Sequence, residues 1–449
     1  MSQDLKLGIS YRQILQMSLP ISFSILVPQF NYLINSFFLS KLGPGYIGAA
    51  GLTGVYYLIF TAIGFGLNNG LQGLISRRGG QDRAEEIGGL FMQSVYITLG
   101  IACTGILLTY TLAPFIFKNF TDPGLYKQSI SFLSIRIWGL PFLYLYQMRN
   151  ALLVGTNQSK LLIWGTLAET LSNILLDYVL IFGKWGFPEL GFNGAAYASV
   201  IAECIGMIVV FMIINAKNMG ERFGLFKSFR FDPAVTKTIL IQSSPLILQY
   251  AISIISWEFF FILISHDGRM ALDISQVMRL LFGFFGIFIW AFAATSNTMV
   301  SNIIGQGMSS RVLILVRRIA TLSLGSTILI FIPLQISPEL LLSFFHYDPA
   351  YMSAAVPVFR VVTFSILIMS VSTICLNAVT GTGNTRINLF IEAVTIILYC
   401  LYIYYVLEVM DLSITWGWGS ELLYWSTILI LSLGYLFSGK WNNMRSRNV

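Results

Sequence analysis

Long apolar stretches separated by short polar breaks run along the whole of this chain. Twelve stand out, at roughly 14–39, 46–75, 87–112, 129–153, 161–183, 193–215, 237–264, 274–304, 312–334, 353–380, 387–409 and 414–438. Each is near the ~20 residues that an α-helix needs to cross a bilayer. The pattern therefore predicts an all-α membrane protein of twelve transmembrane helices. The one substantial polar connection, 217–236, divides them six and six.

The two sixes match each other at a shift of 225 residues. Pro20 falls on Pro245, and Leu39-Ser40-Lys41-Leu42-Gly43 on Ile264-Ser265-His266-Asp267-Gly268. Ser76-Arg77-Arg78-Gly79-Gly80-Gln81 falls on Ser301-Asn302-Ile303-Ile304-Gly305-Gln306. One residue further, Gly155-Thr156-Asn157-Gln158-Ser159-Lys160 lands on Gly381-Thr382-Gly383-Asn384-Thr385-Arg386. An even number of spans per unit starts both units on the same membrane side. The expected fold is thus two parallel six-helix repeats, a 1–216 lobe and a 237–449 lobe, about an axis along the membrane normal.

Charge adds orientation. Only 10% of residues are charged and 56% are apolar, whereas about a quarter of a soluble domain is charged. Mean hydropathy is +0.74. With the N-terminus inside, eighteen Lys and Arg lie at cytoplasmic ends and loops, from Lys6 and Arg12 to Lys440, Arg445 and Arg447. Five lie outside: Lys41, Lys118, Lys127, Lys184 and Arg269. That asymmetry predicts cytoplasmic termini, and it accounts for the net charge of +7 without nucleic acid. The first thirteen residues are polar and no small-residue cleavage site follows, so no removable signal is expected. Cys103, Cys204, Cys375 and Cys400 lie in apolar spans and read as packing residues.

No G-x-x-x-x-G-K-[ST] phosphate loop is present. His266 and His346, the only histidines, fall in outer loops, which offers no His-based metal cluster. An enzyme is not expected; an ion gradient is the remaining energy source for transport. Coupling to it needs ionisable groups inside the membrane, where charge costs ~2.5–3.5 kcal/mol on insertion scales. Glu169 and Asp177 (span 5), Glu203 (span 6), Glu258 (span 7) and Glu392 (span 11) are such groups. Glu169, Asn173 and Asp177 recur every four residues and share one helix face. Asp177 lies about 24 Å along its helix at 1.5 Å per residue, level with Asn35, Phe132 and Ser199. Oxygen donors of this kind suit a proton or a hard cation. Arg136, Arg149, Arg279 and Arg360 also lie in spans, and pairing with Glu169, Glu203 or Glu258 would neutralise them.

Several segments in this order resemble the multidrug and toxic compound extrusion (MATE) transporters over essentially the whole chain. They are Pro20, Asn35-Ser36, Lys41-Leu42-Gly43, Gly139-Leu140-Pro141-Phe142, Gly155–Lys160, Asn173 to Gly183 and Gly191 to Ser199. The resemblance implies two six-helix lobes in a V, alternating access, and export of organic small molecules against protons or sodium. It implies a cation site at Asp177, Asn173, Ser199 and Asn35. Family members carry Thr at the Ser199 position, Asp at the Asn35 position and Tyr at the Phe132 position. One carboxylate remains here, enough for one proton or one monovalent cation, with weaker sodium binding than two acids give. In eukaryotic members a functional Glu stands where Glu258 does, and a second where this chain has Ser253. Glu258 is therefore a candidate second coupling or substrate site, together with Glu169 and Glu203. The expected partners are a small-molecule substrate and membrane lipid, with H+ or Na+ as the only cofactor-like species, no nucleic acid, and a monomer in a bacterial inner membrane. The alternative function on the same fold superfamily is a flippase for a lipid-linked saccharide.

Overall fold

A computed structural model describes residues 5–120, 123–227, 229–345 and 348–442; His346, Arg445 and Arg447 lie outside them. Twelve helices among the described residues are long and apolar enough to span a membrane. They are α1 (Tyr11–Ser40), α2 (Gly48–Gly80), α3 (Ala84–Asn119), α4 (Leu125–Gly155), α5 (Ser159–Phe182) and α6 (Phe192–Ala216). After the connection come α7 (Pro233–His266), α8 (Arg269–Gly305), α9 (Ser309–Ile336), α10 (Pro349–Gly381), α11 (Thr385–Val409) and α12 (Ile414–Phe437).

Local features mark several of their ends and bends. Ser10 opens α1: its Oγ accepts from the Gln13 N–H at 3.2 Å, covering one of the first turn's orphan donors. Asp348 does the same for α10 through Ala350 N–H at 3.3 Å, with Pro349 at the first helical position. Gly183 ends α5 at φ +61°, in the left-handed region where a side chain would be strained. Inside α4, residues Ile137–Gly139 tighten to a 3₁₀ turn directly before Pro141, whose ring lacks the N–H for a continuous ladder. α11 loosens into a π turn at Tyr405–Val409.

Most helices outrun their apolar stretches. α2 continues past residue 75 to Gly80, carrying Arg77 and Arg78, and Arg78 Nε meets Glu86 of α3 at 2.8 Å. α8 starts at Arg269, a residue expected in a loop.

The chain packs as two compact units. One comprises residues 23–243; the other combines the described residues up to Ser22 with those from Ser244 onward. The first turns of α1 therefore belong with the second unit, and the first turns of α7 with the first. Packing units and sequence repeats are different divisions of the chain. Side chains that grip backbone hold each crossing segment. In the second unit, Asn302 accepts from Leu7 N–H at 2.9 Å and donates to the Leu5 carbonyl at 3.0 Å. Gln306 donates to the Leu7 carbonyl at 3.0 Å and Arg318 to that of Ile9 at 2.7 Å. Leu5 and Leu7 are buried, so this arm is more than the polar lead-in its composition indicated. In the first unit, Gln93 donates to the Arg230 carbonyl at 2.8 Å and accepts from Asp232 N–H at 3.2 Å, while Tyr96 donates to the Phe229 carbonyl at 2.9 Å. Gln93 and Arg318 are 225 positions apart, so equivalent points of the repeat grip the chain entering α1 and α7.

Candidate coupling site

The polar face of α5 organises the interior of the first unit. Asp177 is fully buried, and Asn173 almost so. Asn31 of α1 donates through Nδ2 to Asn173 Oδ1 at 2.7 Å, and Asn173 Nδ2 makes a long contact, 3.5 Å, to Ser199 Oγ of α6. α1 and α5 are both odd-numbered spans and cross in the same direction. The Asn31–Asn173 bond fixes their register, and one turn further along each helix stand Asn35 and Asp177. Among the described residues neither Asp177 oxygen has a hydrogen-bond partner, nor does Oδ1 of Asn31 or of Asn35. A buried carboxylate left without donor or cation is unstable as an ion unless a guest completes it. A carboxylate can take a proton, and carboxylate and amide oxygens are of the kind that a monovalent cation would need.

One charge pair of this unit is matched internally. Arg136 of α4 grips Glu203 of α6 with both terminal guanidinium nitrogens, Nη2 to Oε1 at 2.5 Å and Nη1 to Oε2 at 3.1 Å. Its guanidinium also lies 4.3 Å from the centre of the Tyr57 ring. Glycines make room for these groups. A Cβ on Gly139 would sit 2.3 Å from Arg136 Nη1 and 2.4 Å from Glu203 Oε2. One on Gly206 would sit 2.8 Å from Glu169 Cβ, and one on Gly165 2.5 Å from Arg149 Nη1. Arg149, buried, stacks over Tyr146 at 3.9 Å and donates to Asn150 Oδ1 at 2.8 Å. A cavity of about 160 Å³ opens beside this network, lined in part by Thr53, Tyr57, Thr61, Phe132 and Arg136.

Phe132 does not join the polar set. It stacks on Phe192 with ring centres 4.4 Å apart, within an apolar cluster of Leu39, Ile181 and Ala195. Glu258 lies in the second unit, apart from Glu169 and Glu203 in the first. Its carboxylate meets Arg279 at 3.5 Å, both side chains more than one-third exposed, and Arg279 also overlies Phe261 at 5.1 Å. Two polar residues are absent from the sequence-based candidates. Asn31 stands one turn before Asn35, a spacing that was available to find it. Glu421 of α12, 2% exposed, sits within the twelfth apolar stretch and accepts from Trp425 Nε1 at 3.0 Å.

Twelve apolar helices with carboxylates inside them define an integral membrane protein with an internally repeated bundle. The chain belongs to the MatE family, whose model matches it twice, over residues 20–179 and 245–405. Among similar proteins, a "Probable multidrug resistance protein NorM" from Synechocystis sp. is 25% identical over 246 residues, covering 54% of this chain and 53% of that protein. A protein of the same description from Thermotoga maritima is 22% identical over 413 residues, 88% of this chain and 85% of its own. The match spans about half the length of the first of these curated relatives. An outward-facing multidrug resistance MATE family transporter of the MOP superfamily has the same fold, with TM-score 0.91 and 15% identity over 99% of both chains. So does a MOP superfamily transporter from Pyrococcus furiosus, with TM-score 0.88 and 14% identity over the whole of both.

Proposed function

We propose that this chain is a cation-coupled antiporter that exports organic, cationic or amphipathic small molecules by alternating access between lobes 1–216 and 237–449, its termini in the cytoplasm. The observation that carries the reading is Asp177, a fully buried carboxylate on the α1–α5–α6 polar face with no hydrogen-bond partner on either oxygen among the described residues. Two relatives described as multidrug resistance proteins favour efflux of this kind over the flipping of a lipid-linked saccharide. Asp177, Asn173, Ser199 and Asn35 form the coupling site, with Asn31 fixing the register of α1 against α5. An ionised Asp177 bears the full desolvation cost of its charge. Binding one proton, or one sodium ion, removes that cost and lets the helices around it close. Release restores the charge and opens them. A single carboxylate, with Asn in place of a second acid on α1, favours the proton.

Glu203, held by Arg136, keeps its charge neutralised through the cycle and positions α4 against α6. Glu258 and Glu169 serve as substrate or auxiliary charges. The test is fluorescent-cation efflux from cells in which the sodium gradient and then the proton gradient is removed. Efflux lost only with the proton gradient supports the reading. Efflux indifferent to both gradients overturns it.

A further inference from the structure

The second compact unit buries a carboxylate that the site above does not use. Glu392 of α11 is 1% exposed. Its Oε1 lies 2.5 Å from Ser253 Oγ of α7 and is also met by the Tyr424 hydroxyl of α12. Its Oε2 lies 3.5 Å from Gln249 Nε2. Asn388, one turn before Glu392, donates to Gln249 Oε1 at 2.6 Å and so turns the Gln249 amide N–H toward the carboxylate. No Lys, Arg or His pairs with Glu392 among the described residues.

Proton counting sets what this cluster can hold. Ser253 Oγ stands 2.9 Å from the Gln249 carbonyl as well as 2.5 Å from Glu392 Oε1, and its single proton serves one of the two at a time. With Glu392 ionised, Ser253 and Tyr424 both donate to it. With the Ser253 proton on the carbonyl, the Ser253–Glu392 contact takes its proton from the carboxyl group. All three contacts made together take three protons, and the two hydroxyls own two. Glu421 in the same unit shows no such surplus: Trp425 donates to it at 3.0 Å and Tyr399 at 3.4 Å, and each brings its own hydrogen.

We infer that Glu392, with Ser253, Tyr424 and Gln249, is a proton-binding site of the C-terminal unit, separate from Asp177. Protonated, Glu392 donates to Ser253 and accepts from Tyr424. When the proton leaves, the Ser253 hydroxyl turns from the Gln249 carbonyl to the carboxylate, which keeps two hydroxyl donors. That turn leaves the Gln249 carbonyl with its helical partner alone, one turn beyond Pro245 in α7. The titratable groups around the site are Tyr424, Tyr399 stacked edge-on to it at 5.7 Å, and Glu421 beyond. Among the described residues, α7 contributes hydrogen bonds from Ser253 and Gln249, and no charged side chain of α10 pairs with Glu392.

The protonation itself does not depend on the transport reading; its role as a second coupled proton does. Infrared difference spectra of the purified protein, recorded over a pH titration in H2O and D2O without substrate, test the site. A carboxylic-acid C=O band that vanishes as pH rises, is absent in Glu392→Gln, is displaced in frequency by Tyr424→Phe and persists in Asp177→Asn supports it. No titrating band, a band that Glu392→Gln leaves in place, or a band moved by sodium and not by pH overturns it. In proteoliposomes, Glu392→Gln with Asp177 intact should carry one proton fewer per substrate; an unchanged ratio overturns the coupling role.

Discussion

Charged side chains inside these spans divide by whether the protein supplies their partner. Arg136 and Glu203 complete each other, so each becomes a liability when the other is removed. Glu203→Gln should destabilise the protein by about 3 kcal/mol by stranding a buried guanidinium. Arg136→Met with Glu203→Leu should recover much of that loss. Thermal unfolding in detergent checks the order, and a double variant less stable than the single would contradict it. Gly139→Ala should mimic the single variant, because its methyl group would occupy the space of the ion pair. Residue spacing made part of this legible. The four-residue recurrence on α5 exposed Asn173 and Asp177 in one dimension. The Arg136–Glu203 pair joins residues 67 positions apart, and nothing in local spacing chooses Glu203 over Glu169 or Glu258. Glu421 was obscured by the tryptophans and glycines around it, which read as an ordinary apolar span.

Helices were readable because a bilayer admits few alternatives to them. Their ends were less so, since a helix continues into polar sequence wherever caps and neighbouring helices satisfy it, as in α2 and α8. The short connecting segments held the larger difference. The linker 217–236 reads as a solvated tether, yet its helix Met219–Phe223 buries Met219 and Phe223, and Gly224 lies directly against Gly88. A Cβ on Gly88 would sit 2.4 Å from the Gly224 carbonyl oxygen, so Gly88→Val should force the linker off α3 and lower stability measurably. The N-terminal arm behaves in the same way. Asn302→Ala strands the Leu7 N–H and the Leu5 carbonyl, at about 1–3 kcal/mol for each buried group left unpaired. Protease cleavage near residues 5–9 should become faster in that variant, and an unchanged cleavage rate would show that the grip contributes little. Composition could not reveal this arm, because two leucines among polar residues give no periodicity.

Across the whole molecule, the 225-residue repeat visible in the sequence is the same duplication that the family model finds by matching the chain twice. The duplication is not chemically symmetric. Among the described residues, the first unit presents a carboxylate without a hydrogen-bond partner, and the second presents one surrounded by hydroxyl and amide groups. The fold is shared with the solved outward-facing transporter at 15% identity. The central claim is that Asp177 couples ion movement to export. It is tested most directly in proteoliposomes by comparing wild type with Asp177→Asn for uphill, proton-driven substrate accumulation and for substrate–substrate exchange without a gradient. The account predicts that Asp177→Asn folds and binds substrate but loses uphill accumulation. Accumulation at the wild-type rate in Asp177→Asn would contradict it.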